Sequence, residues 1–327
     1  MISRVAEACF WMYRQVERAD SMARMLRVNR SFVLDTNIEG EKKWYSMLVA
    51  SGEHELFDQA YPRDARSDGD IVQEYLVWER DNPVSIYNTL YWARENARTI
   101  RDVISLEMWE VLNDRWQWLK RGPGRRVYRG DPDAFYRHIS GVTSMFQGTT
   151  FNTMLRNKPL DFMQLGMFLE RAGQTARILD VHYHTFTTGD TDRFAALAEV
   201  QWLALLRCLS ATASFARSFQ KAPTGPTVVD FFIFEDRFPR SVLHSLERSL
   251  AILNRINRPH RALSPSATRI KTLRDSLLNS KARELATRHV HAEVTRLVDG
   301  ALEVCQVIHD EYFDPVQTLK YSGTSAN

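Results

Sequence analysis

Glu17-Arg-Ala-Asp-Ser-Met-Ala-Arg-Met-Leu-Arg-Val28 and Glu170-Arg-Ala-Gly-Gln-Thr-Ala-Arg-Ile-Leu-Asp-Val181 share one pattern, E-R-A-x-x-x-A-R-x-L-x-V, at an offset of 153 residues. A second echo follows in the same order. Pro83-Val-Ser-Ile-Tyr-Asn-Thr-Leu90 and Pro239-Arg-Ser-Val-Leu-His-Ser-Leu246 share P-x-S-(I/V)-x-x-x-L at an offset of 156. Two collinear matches at nearly equal offset point to an internal duplication with one small insertion. The chain therefore reads as two homologous halves, 1–153 and 154–315, followed by a polar tail over 316–327.

The repeated motif has helical spacing. Met12, Val16, Ala19, Ala23 and Leu26 recur every three or four residues, as do Leu165, Leu169, Ala172, Ala176 and Leu179. Alanine at the centre of each stripe lets a second helix approach closely. The same periodicity predicts helices over 70–80, 84–113, 192–220, 240–257 and 280–312, with Pro83 and Pro239 in first turns, where a missing N–H costs nothing. Breaks are expected at Arg121-Gly-Pro-Gly-Arg-Arg-Val-Tyr-Arg-Gly-Asp-Pro132 and Lys221-Ala-Pro-Thr-Gly-Pro226. The fold class is all-α: a long-helix bundle of two tandemly duplicated, pseudo-twofold-related halves packed as one globule.

Composition agrees. Gly and Pro are scarce for 327 residues, whereas a strand-rich fold needs turn residues every few positions. A net charge of +3 gives little reason to expect nucleic acid binding. Cys9, Cys208 and Cys305 are odd in number and far apart, which suits small buried residues in a reducing compartment rather than a disulfide set or zinc site. There is no signal-peptide core and no apolar run long enough for a bilayer, so a cytoplasmic protein without a membrane segment is expected.

Glu17, Arg18 and Arg24 recur as Glu170, Arg171 and Arg177. Glu17 and Arg24 share a side of the helix but stand about 10 Å apart along its axis, so each needs a partner elsewhere. If the two motif helices pack antiparallel and cross midway between these charges, Glu17 meets Arg177 and Glu170 meets Arg24. Such pairs can act as structural pins of register. They can equally form a functional pocket, with Glu as acid, base or ligand and Arg as anion clamp. In one half only, Arg94, Arg98 and Arg101 make a basic edge with Glu95 nearby, either a solvated face or an anion site. Ser105-Leu-Glu-Met-Trp-Glu110 continues that helix, with Trp109, Trp116 and Trp118 as core residues.

The phosphate-cradling glycine loops, H-E-x-x-H and G-x-S-x-G are absent. No Glu is followed three residues later by His, which argues against a di-iron site. His182 and His184 point to different sides of a helix and make a poor metal grip. No metal, cofactor or nucleophile–base pair is indicated.

Arg4-Val-Ala-Glu, Tyr13 to Arg18, the run from Ala93 to Arg98, Ser105-Leu-Glu-Met-Trp, Phe168-Leu-Glu-Arg-Ala and Arg237-Phe-Pro-Arg-Ser together resemble the bacterial alpha-E family, from Met1 to about Pro315. The segment from Leu155 to Phe162 departs from the family pattern, which reads more like Arg-x-x-Gly-Trp. The resemblance implies an all-helical protein named for a glutamate motif, with Glu17 and Glu170 as its candidates. It also implies association with a circularly permuted ATP-grasp ligase and a transglutaminase-like protein in peptide or amide ligation and processing. The expectation is an accessory component that binds the ligase or its peptide substrate. The alternative is an enzyme of amide chemistry, with Glu17 or Glu170 as acid–base and Arg18, Arg24, Arg171, Arg177, Arg94 and Arg98 as anion clamps.

Overall fold

A computed structural model of the chain describes residues 3–35, 42–186, 193–257, 263–279 and 290–314. Among the described residues every regular element is helical and none is a strand. In order these are α1 (Ser3–Asp35), α2 (Lys42–Ser51), α3 (His54–Ala60), a 3-10 turn (Arg63–Ser67), α4 (Gly69–Trp78), α5 (Ile86–Thr99), α6 (Leu106–Lys120), α7 (Pro123–Gly130) and α8 (Pro132–Thr153). There follow α9 (Lys158–Phe186), α10 (Arg193–Cys208), α11 (Thr212–Phe219), α12 (Gly225–Phe234), α13 (Val242–Ile256), α14 (Pro265–Asn279) and α15 (Val290–Ile308). The last runs into a π-helical turn at His309–Phe313.

α1 and α9, which carry the repeated motif, form the centre. They share the most extensive helix–helix contact in the molecule. Around them, α1 packs on α5, α8 and α10, while α9 packs on α2, α13 and α15. Both helices are apolar on several sides, as helices enclosed by others must be. Cys9, Met12, Val16, Ala19, Ala23 and Leu26 of α1 are all buried, as are Met163, Leu165, Leu169, Ala172, Ala176 and Leu179 of α9.

Contacts run in the same order along both helices: Phe10 beside Gly166, Arg14 against Glu170, Glu17 against Arg171. The pair is therefore parallel, not antiparallel as the charge spacing suggested. At the closest approach a Cβ on Gly166 would lie 2.3 Å from the Phe10 carbonyl oxygen, so only glycine fits.

Helix boundaries depart from the sequence expectation where a capping residue sits inside a periodic stretch. The helix expected over 84–113 breaks after Ile100, because Ser105 accepts a bond from the Met108 N–H and starts a new helix. The stretch expected as one helix to Gln220 breaks at Leu209–Ala211. The Ser210 N–H bonds the Arg207 carbonyl and the Ala211 N–H bonds that of Leu206, a Schellman ending. Ser210 takes the left-handed conformation there (φ 55°), which usually falls to glycine and costs a side-chain-bearing residue about 1–2 kcal/mol. The break expected over 121–132 holds α7, entered through Gly122 (φ 97°) and Pro123. Pro83 and Pro239 stand two residues before the N-caps Ser85 and Ser241 instead of in first turns. Residues 280–289 and the tail from 315 lie outside the described residues, as do the side chains of His182 and His184.

Trp116 is buried, while Trp109 and Trp118 lie partly buried against the core. Arg94 and Arg101 both lie over the Trp109 ring.

Helix propensity alone favours alanine over glycine by about 1 kcal/mol. Gly166→Ala is nevertheless expected to destabilise the protein by about 1–3 kcal/mol, because the new methyl meets backbone that cannot yield. A lower denaturant midpoint at unchanged slope is the expected reading. A gain in stability would mean that α1 and α9 do not meet backbone to backbone.

Candidate functional site

The parallel register places each glutamate of the motif opposite the arginine of the other copy. Glu17 is fully buried. Its Oε1 accepts from Arg171 Nε (2.8 Å) and Arg240 Nη1 (2.8 Å), and its Oε2 from Gln147 Nε2 (2.8 Å) and Arg171 Nη2 (3.2 Å). Glu170 is equally enclosed. Its Oε1 accepts from Arg18 Nε (2.7 Å) and Gln174 Nε2 (2.9 Å), and its Oε2 from Arg14 Nε (2.9 Å) and Arg18 Nη2 (3.0 Å). Each carboxylate thus meets two guanidiniums and one amide, which fills its acceptor sites.

The electrostatics follow. Burial by itself pushes the Glu17 carboxyl up, but Arg171 and Arg240, with the bonds from Arg171 and Gln147, hold it below the usual carboxylate range. For Glu170, burial is likewise outweighed by Arg18 and Arg14, and the carboxyl lies well below that range. Both groups are therefore carboxylates near neutral pH.

Arg24 and Arg177, expected to receive these glutamates, do not. Because the helices are parallel and the motifs level, the adjacent Arg18 and Arg171 make the reciprocal pairs. Arg24 instead bonds Asp20 (2.8 Å) and the Ser210 hydroxyl, while Arg177 donates to the Ser51 carbonyl (3.3 Å). Arg94, Glu95 and Arg98 form a local lace on α5, with Arg98 Nε 2.8 Å from Glu95 and Arg94 bonded to Glu95 and Asn113. No bond among the described residues joins that lace to the motif cluster.

Five cluster members escaped the sequence reading: Arg14, Asp20, Gln147, Gln174 and Arg240. Asp20 accepts from Arg240 Nη2 (2.9 Å), so Arg240 bridges Glu17 and Asp20. A signal existed for three of them. At the positions the repeat equates, Arg14 stands against Met167, Asp20 against Gly173 and Arg240 against Val84. A charge in one of two matching stretches, where the other has an apolar or small residue, marks a position worth testing as a partner.

Beside Glu170 a hollow of about 30 Å³, lined by Arg14, Arg18, Gln174 and Arg177, has room for about one water. Next to it Glu53 is buried with Oε2 unpartnered, and burial raises its carboxyl against the pull of Arg18 and Arg177. Burial also pushes the thiols of Cys9 and Cys208 up to about 12, so neither is a ready nucleophile. Among the described residues no three of His, Cys, Asp and Glu converge to hold a metal ion, and no helix is long and apolar enough to cross a membrane.

Glu17→Gln and Glu170→Gln each leave two guanidiniums facing a neutral amide. Each is expected to cost about 3–5 kcal/mol, read as a fall in melting temperature. Both carboxyls sit below their unfolded value of about 4.3, so the stability they contribute is full above that pH and is lost as the pH falls through it toward the folded values. Glu170→Gln should flatten that acid limb. Retention of the wild-type pH profile would show that Glu170 is not the linked group.

The comparisons with known proteins fit this cluster. The model of the Alpha-E family, described as "a predicted alpha-helical domain with a conserved ER motif", matches residues 1–313. Uncharacterized proteins of Mycobacterium bovis and Mycobacterium tuberculosis are 24% identical over 319 residues, covering 91% of this chain. The chain spans 35% of the length of those relatives. No solved structure matches it. With a family model matching nearly its whole length, this chain belongs to the Alpha-E family.

Proposed function

We propose that the chain is an interaction component of a peptide or amide ligation and processing system, binding an ATP-grasp ligase or its peptide substrate alongside a transglutaminase-like protein. The observation that carries this reading is the closure of both motif carboxylates. Glu17 and Glu170 are buried, saturated by arginine and amide donors, and held below the usual carboxylate range. A general acid–base needs a carboxyl poised near the working pH and within reach of substrate. Room for about one water beside Glu170 leaves no space for a peptide.

The family description supports the same view. Four E-R dipeptides occur: Glu17-Arg18, Glu79-Arg80, Glu170-Arg171 and Glu247-Arg248. Only the first and third have a buried glutamate, whereas Glu247 and Arg248 are exposed and Glu79 is half-buried. We infer that the ER motif is Glu17-Arg18 with its echo Glu170-Arg171. Its task is to lock two copies of one helical unit in parallel register. In the mycobacterial relatives the matched region is one part of a longer chain, which suits a unit that works beside others.

The test mixes the purified chain with the ATP-grasp ligase. Co-elution on gel filtration and a changed ligase rate are expected, with no turnover of ATP or peptide by the chain alone. Turnover by the chain alone that Glu170→Gln abolishes while the fold survives would sink this reading.

A further inference from the structure

On the side of the cluster away from Glu170 the pairs lead outward. Glu17 bonds Arg240, Arg240 bonds Asp20, Asp20 bonds Arg24, and Arg24 bonds the Ser210 hydroxyl. Ser210 stands in the wall of a cavity of about 430 Å³ formed by α1, α8, α10 and α11. That volume is in the range of small-molecule sites, unlike the hollow beside Glu170.

Among the described residues the charge of the cavity's lining is unbalanced: Arg27 and Arg207 face a single carboxylate, Asp133. Asp133 is shared, since Arg137 pairs with it from the same helix and Arg27 reaches it only at 3.5 Å. The Arg207 guanidinium has no hydrogen bond or ion pair with another described residue. Thr212 and Ala213, in the same wall, open α11, whose N-cap Ala211 offers no side chain to the first N–H groups. Those N–H groups and the two guanidiniums favour a negative group. Val28, Val200 and Ala204 supply an apolar side to the same space.

We propose that this cavity binds a small organic molecule through an oxyanion, a phosphate or a carboxylate, held by Arg27 and Arg207 at the start of α11. Ser210 explains how the site is shaped. A residue with a side chain is kept in the left-handed conformation at this corner, and its hydroxyl ties the cavity wall to Arg24 and so to the buried charges of the motif. Strain of this kind concentrates where a wall must hold its form. The proposal goes beyond the partner reading and does not depend on it.

The experiment is titration calorimetry of the full chain at physiological salt, with pyrophosphate and N-acetylglutamate as separate probes. Salt matters because it screens loose surface attraction. Saturable one-site binding of one probe is expected, and which probe binds tells phosphate from carboxylate. Arg207→Gln and, independently, Arg27→Gln should each weaken it about ten-fold or more. Both arginines are exposed, so melting curves should confirm that the variants fold. Arg237→Gln, an exposed arginine outside this cavity, should leave binding unchanged. Absence of saturable binding by both probes overturns the proposal, as does undiminished binding in Arg207→Gln and Arg27→Gln or an equal loss in Arg237→Gln.

Discussion

Two carboxylates buried between parallel helices are the constraint on which the rest of this structure depends. Taking a carboxylate and a guanidinium out of water costs several kcal/mol per ion, and their attraction offsets this only where the geometry is good and the remaining lone pairs are filled. Here they are filled. Each glutamate has two arginines and an amide: those of Glu170 come from α1 and α9 alone, whereas Glu17 draws Arg171 from α9, Gln147 from α8 and Arg240 from the turn before α13. A slip of α1 against α9 by one turn would break the Glu17–Arg171 pair and leave Glu170 with at most one of its two arginines. Leucines and alanines could pack in several registers, so it is the charges that select one.

Closeness is the second half of that constraint. The glutamate–arginine pairs can form on both sides because the two helices nearly touch. Gly166 against the Phe10 carbonyl and the alanines at 19, 23, 172 and 176 make that possible. The motif is a compound device in which small residues set the distance and charges set the level. The two groups work together, which explains why the E-R charges and the alanines occur in one pattern.

Much of this was legible in the sequence, and the failures are instructive. The helical class, the contact between the two motif helices and the existence of cross-helix charge pairs all follow from residues at 12–28 and 165–181. The direction of packing does not, because helical periodicity carries no sign: a stripe at three-and-four spacing faces its partner equally well either way round. Assuming antiparallel helices sent Glu17 to Arg177, whereas the adjacent Arg171 receives it. Periodicity also ran through Ser105 and Ser210, since a single cap residue scarcely disturbs a pattern counted over many positions. Arg14, Asp20 and Arg240 hid for another reason. Attention to what the repeated stretches share passes over residues in which they differ, and those differences carry the second arginine of each carboxylate and the path toward Ser210.

The parallel pair also orders events in time. A parallel partner cannot follow by a tight turn, so among the described residues seven α-helices and a 3-10 turn intervene before α9 lies beside α1. The residues that neutralise Glu17 come 154 and 223 positions later. Closing such separations is slow, because the entropy of loop closure precedes any reward. On the ribosome, then, α1 emerges long before the residues that complete it. Its innermost face carries Glu17, Asp20, Arg14 and Arg18 and stays wet until the second half arrives. Charges that would be ruinous if buried alone keep that face soluble during the wait, so the feature that fixes the finished fold also guards the nascent one against collapsing too soon.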